Sequence, residues 1–158
     1  MGGWLPALVR LSHCGGDWER YLELIYQAFR TDFVETKPSM AGIRCGLRHP
    51  EMVEGRENTF WHIISEGLTE AERIPDLRRC ERIRWPRPVI ESVGSNRIRC
   101  WRYKRNRDRR ISIALEDFTY LVVLVDRRSY VLLLTAFPVE GERRREKLRR
   151  EYEASPKC

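Results

Sequence analysis

Histidine is the side chain whose ordinary titration lies closest to neutral pH, and one of the three histidines in this 158-residue chain has a chemically useful neighbour. His62 falls in residues 59–67, where Phe60, Ile63 and Ile64 share a face and Gly67 suits a C-terminal stop, so a short helix is predicted. Glu66 follows four residues later on the same predicted face, where a carboxylate orients an imidazole or acts as a second acid–base group. The plainer alternative is a core histidine beside Phe60 and Ile63, with an exposed carboxylate at a helix end.

A second chemically suggestive stretch runs from Arg97 to Arg110, RIRCWRYKRNRDRR, with eight basic residues opposed only by Asp108. Strand alternation would put Ile98 and Cys100 on one face and Arg97, Arg99, Trp101 and Tyr103 on the other. Guanidinium groups interleaved with aromatic rings suit phosphate contact plus base stacking, which makes Trp101, Tyr103, Lys104 and Arg105 candidate RNA-binding residues. The alternative is an edge strand protected by charge, with Trp101 packed under the arginine stems.

The net charge of +7 points the same way, because neutralising phosphates releases counterions and drives association with a polyanion. The mixed charges of residues 142–153 read instead as a solvated C-terminal helix with i,i+4 pairs. Five scattered cysteines, none in a Cys-x-x-Cys pair, read as reduced cytosolic thiols. Three separated histidines supply no zinc-ligand spacing, so no metal and no cofactor are expected. The longest apolar run, residues 120–125, is far shorter than the roughly 20 residues of a membrane span. No secretory signal is apparent before Asp17, so a cytoplasmic location is expected.

These residues need a scaffold. Residues 1–16 read as a loose leader and 17–155 as one domain. Leu22, Ile25, Tyr26, Phe29 and Phe33 give residues 18–34 an amphipathic helical period with Asp17 as N-cap. Gly42, Gly46 and Pro50 punctuate the next stretch and leave residues 41–47 as at most a short strand in a loop-rich connection. A charge-dense helix is predicted over 76–83, ended by Pro86 and Pro88. The second half changes to strand composition over 97–104, 110–116, 119–126 and 129–138. The predicted fold class is therefore α+β: N-terminal helices packed on a four-stranded antiparallel meander, followed by the charged C-terminal helix.

Three stretches resemble a known family: Asn58-Thr59-Phe60-Trp61-His62-Ile63-Ile64-Ser65, residues 73–85 (RIPDLRRCERIRW), and the strand end Leu134-Thr135-Ala136-Phe137-Pro138. Together they are similar to phage-associated members of the nuclease superfamily that groups barnase, EndoU, the colicin nucleases and RelE. The resemblance spans roughly residues 20–155 in the same order. It implies a metal-independent endoribonuclease in which the 2′-hydroxyl attacks the adjacent phosphorus and leaves a 2′,3′-cyclic phosphate. On that resemblance His62 is the first catalytic candidate, and Thr135 is the hydroxyl residue near the end of the last strand. Arg97 and Arg99 are the expected stabilisers of transition-state charge, with Lys104 and Arg82 in reserve, since a guanidinium binds two phosphate oxygens at once. Phe137 stands where many relatives carry tyrosine, so no phenol can act there. The implied role is a toxin or phage-related effector acting on RNA, restrained by an acidic antitoxin or immunity protein through electrostatic steering. The competing reading keeps the fold and the basic face as a non-catalytic RNA- or DNA-binding module.

Overall fold

In a computed structural model that describes residues 3–67 and 69–158, the chain opens with a docked segment. The expected loose leader is not loose, although its Met1 and Gly2 lie outside the described residues. Val9 N–H donates to the Glu81 carbonyl (2.9 Å) and Trp85 Nε1 to that of Pro6 (2.8 Å), while Trp4, Leu5 and Val9 pack on the core. Helix α1 (Trp18–Phe29) follows, capped by Asp17, which accepts from Arg20 N–H. Its apolar face buries Tyr21, Leu22, Ile25, Tyr26 and Phe29.

Two strands come next, β1 (Ser39–Met40) and β2 (Ile43–Leu47), then a small hairpin of β3 (Met52–Val53) and β4 (Arg56–Glu57). Helix α2 (Asn58–Ile64) leads into β5 (Ser65–Glu66), which pairs antiparallel with β6 (Ile74–Pro75). Helix α3 (Leu77–Glu81) is capped by Asp76. Helix α4 (Pro86–Glu91) begins at the proline expected to be a break, because the missing N–H of proline costs nothing in a first helical turn. The meander is β7 (Ile98–Arg105), β8 (Asp108–Leu115), β9 (Tyr120–Asp126) and β10 (Val131–Pro138), and α5 (Glu142–Ala154) closes the chain.

The sheet corrects the expected fold class. It has six strands in the order β1-β2-β10-β9-β8-β7, is mixed, and curls into a half-barrel instead of forming a four-stranded antiparallel meander. The extra strands come from residues 39–47, where at most a short strand in a loop-rich connection was expected. Strand β2 runs parallel to β10, with Val131 opposite Cys45 and Leu133 opposite Leu47. That pairing joins residues far apart in sequence, and no local pattern carries it.

Both faces of the sheet are covered. One packs Ile111, Ile113, Val122, Leu124, Val131 and Leu133 against α1, α2 and α4. The other carries Trp101, Ala114, Phe118, Leu121 and Val123 beneath Leu148 and Tyr152 of α5. Trp101 is therefore no stacking platform: it is 0% exposed, and its Nε1 donates to Glu151 (2.9 Å). The expected set of reduced thiols is also corrected. Residues 156–158 return to β7, where Arg102 N–H donates to the Pro156 carbonyl and Cys100 is disulfide-bonded to Cys158. Cys14, Cys45 and Cys80 are buried free thiols. Among the described residues no helix is long and apolar enough to cross a membrane.

Two stability predictions follow from this packing. Trp101→Ala should destabilise the fold by about 3–5 kcal/mol in urea unfolding, the range for deleting a buried large aromatic; an unchanged midpoint would contradict its burial. Burial pushes the Cys45 and Cys80 thiols up to about 12 and raises the Tyr21 and Tyr120 phenols. These groups keep their protons in the folded chain to higher pH than in the unfolded one, so unfolding releases protons once the unfolded thiols titrate, near about pH 8.5. Their stabilisation is complete below that pH and is lost as pH rises toward 12. The melting temperature should accordingly fall steadily between about pH 9 and 11.

Candidate functional site

The end of α2 reaches the cleft through a short local tether. Thr59 Oγ1 donates to the His49 carbonyl (3.1 Å) and accepts from His49 N–H (2.9 Å), which fixes the preceding loop against the helix. The His49 ring stacks on that of His62, with centroids 4.7 Å apart and planes 21° apart. His49 Nδ1 lies 3.5 Å from Glu51, which also accepts from Asn58 Nδ2 (3.1 Å). The Asn58 hydrogen bond is the main cause holding the Glu51 carboxyl below its ordinary range.

Helix α2 stops at Ile64, so Glu66 is not on the helical face expected of it. It lies on β5 opposite Ile74, because the chain gains a ladder partner from β6 that local periodicity could not announce. Gly67 then turns the chain at φ 150°, and a Cβ there would sit 2.7 Å from the Glu72 carbonyl oxygen. His62 and Glu66 nevertheless line one cleft of about 290 Å³, together with Gly67, Arg73, Arg79, Leu134, Thr135 and Phe137. Thr135 arrives from β10 just after an irregularity in its pairing with β9, between Leu133 and Thr135.

The cations of this cleft are not the expected ones. Arg73 Nη1 donates to the carbonyls of Ser65 (3.3 Å) and His62 (3.5 Å). Arg79 Nη1 donates to the Ser65 carbonyl (2.6 Å), its Nε lies 3.7 Å from Asp76, and its guanidinium sits 5.0 Å above the Phe137 ring. Burial lowers the Arg79 pKa and Asp76 opposes that shift. A guanidinium stays charged nonetheless. Phe137, which lacks the phenol of the resembled family, is the surface on which this arginine rests.

Arg97 and Arg99 lie elsewhere. The Arg97 guanidinium covers the Trp4 ring at 5.2 Å in a groove that also contains Asn96 and Glu116. Arg99 donates to the carbonyls of Asn96 and Ile98 (3.1 Å each) and lies 4.0 Å from Glu116. Arg82 covers Trp85 at 5.1 Å and does not line the cleft. Lys104 is exposed, while Tyr103 and Arg105 line a neighbouring groove under α5. Sequence reasoning thus brought out His62, Glu66 and Thr135 and missed Arg73, Arg79 and His49. The two arginines flank Pro75 and Asp76 inside a motif already noticed, but their charge-dense surroundings read equally well as a solvated helix. Among the described residues no group of three or more His, Cys, Asp or Glu side chains could hold a metal ion.

No family model, curated protein or solved structure matches this chain. The resemblance to the barnase, EndoU, colicin and RelE superfamily thus rests on the three sequence stretches alone.

Gly67→Ala tests how the cleft is built. Its Cβ would meet backbone at 2.7 Å in a conformation that disfavours L side chains, so the variant should lose about 1–3 kcal/mol in urea unfolding.

Proposed function

We propose that this chain is an endoribonuclease that cleaves RNA without a metal ion, by attack of a 2′-hydroxyl on the adjacent phosphorus. The observation that carries this reading is the convergence of His62, Glu66, Thr135, Arg73 and Arg79 on one cleft from α2, β5, β10 and the segment around α3. In-line transesterification needs a base for the 2′-hydroxyl proton, an acid for the departing 5′-oxygen, and cations for the charged phosphorane. Glu66 serves as base and His62 as acid, a carboxylate and an imidazole being side-chain types that exchange protons in such a step. The new oxygen–phosphorus bond forms as the bond to the 5′-oxygen breaks, leaving a 2′,3′-cyclic phosphate and a 5′-hydroxyl. Arg73 and Arg79 supply positive charge, and the hydroxyl of Thr135, which lines the cleft, donates to a phosphate oxygen.

The cellular role that goes with this chemistry is a toxin or phage-related effector in the cytoplasm, held in check by an acidic antitoxin or immunity protein drawn to the basic surface. Three buried free thiols accord with that compartment, whereas a Cys100–Cys158 bond is a form its reductants would open.

Incubation with total RNA in EDTA tests the proposal. The wild-type chain should leave 2′,3′-cyclic phosphate ends. His62→Ala should slow cleavage by at least about 100-fold, in the range of general acid–base contributions, and Thr135→Val by about tenfold, in the range for one lost hydrogen bond to a charged group. Intact RNA despite salt-sensitive binding by the wild type would reject the enzyme in favour of a binding module of the same fold.

A further inference from the structure

A second groove adjoins the cleft on the face of the sheet that α5 covers. It encloses about 340 Å³ between α5 and strands β7 to β10, and its walls include Tyr103, Arg105, Arg110, Arg144, Lys147 and Glu151. Leu134, Thr135 and Phe137 line both the groove and the cleft, so the two form one trough. Its charge is lopsided: four cations face one carboxylate, and Glu151 already accepts the Trp101 indole hydrogen. Of the four, Arg110 is only 19% exposed and is already paired through Nη2 with Asp108 (3.4 Å), while its Nε is buried with no hydrogen-bond partner among the described residues. Beneath the cations the floor is largely apolar, formed by Leu121, Val123 and Leu134.

We propose that this groove binds one nucleotide of single-stranded RNA adjacent to the scissile linkage. The phosphate lies among Arg105, Arg110, Arg144 and Lys147, and the base rests on the apolar floor beside Tyr103. The volume falls within the roughly 300–1,000 Å³ of sites that enclose a small molecule, and cations above an apolar, partly aromatic floor match the alternation of phosphate and base along a strand. A base can reach a floor roofed by a helix only when it is unstacked, which selects single strands over duplex. Adjacency to the scissile linkage rests on the nuclease reading; the binding of a nucleotide in the groove does not.

Fluorescence anisotropy with a 2′-O-methyl hexanucleotide, which cannot undergo 2′-hydroxyl attack, measures the groove without catalysis. Arg144 and Lys147 are exposed on α5, so Arg144→Glu with Lys147→Glu spares the core. That variant should bind at least tenfold more weakly than wild type. Loss of about two phosphate contacts should also make its salt dependence shallower by about 1.4 in log K per log salt. Arg105→Glu, on β7, should weaken binding several-fold even if the α5 variant shifts its helix. Arg20→Glu with Arg44→Glu, an equal charge change at exposed positions away from the groove, should stay within twofold. Equal affinity of wild type and both groove variants would overturn the proposal, as would poly-glutamate binding with the same affinity and the same sensitivity. A wild-type chain that binds the hexanucleotide through these residues but leaves RNA intact would instead overturn the nuclease reading and leave the groove standing.

Discussion

Arg79 donates to the Ser65 carbonyl, lies beside Asp76 and rests on the Phe137 ring, so a single guanidinium joins α3, β5 and β10 around the cleft. Its side chain is only 15% exposed. Taking a charge that far from water costs several kcal/mol unless carbonyl and carboxylate partners replace the lost hydration. The same contacts that hold the cleft together therefore depend on the β5–β6 pairing that presents Ser65 and on the Asp76 cap of α3. Arg73 makes a second bond to the Ser65 carbonyl, which places two positive charges around one backbone oxygen at the cleft wall.

The sheet supplies the rigidity behind this arrangement. Strand β10 is held by β2 through Val131–Leu133 and by β9 along its length, where Thr135 lies opposite Val123 and Phe137 opposite Leu121. The irregularity after Leu133 gives β10 an extra residue at the cleft, and Leu134, Thr135 and Phe137 all line it. On the far side, Trp101, Phe118 and Tyr152 pack together, and the Cys100–Cys158 bond ties the last residues to β7. The two faces thus do different work: one is a core against α1, α2 and α4, and the other is a core at one end and a basic trough at the other.

How much of this was legible in the sequence depended on whether the signal was local. The amphipathic period of α1, the Asp17 cap and the strand composition of β7 to β10 are short-range patterns, and each marks a real element. Strand β2 is not of that kind, because its partner β10 lies far along the chain and Gly42 and Gly46 mark the stretch as loop-rich. Trp101 misled for a related reason: alternation gives the face of a strand but not what covers it, and here α5 does. Arg97 and Arg99 carried the strongest local charge signal yet face the end of the molecule near Trp4 and Glu116. Arg73 and Arg79 had the weaker signal and line the cleft, since tertiary placement rather than charge density decides which guanidinium lines a cleft.

If the cleft is the site of chemistry, a strand of nucleic acid must meet the surface there. Titrating a 2′-deoxy dinucleotide into isotopically labelled protein and following the imidazole, guanidinium and methyl NMR signals would locate it. The predicted result is that His62, Arg79 and Thr135 shift together along one saturation curve while Arg97 and Arg99 stay still. Shifts confined to Arg97, Arg99 and their neighbours, with His62 and Thr135 unmoved, would contradict the cleft as the site of chemistry.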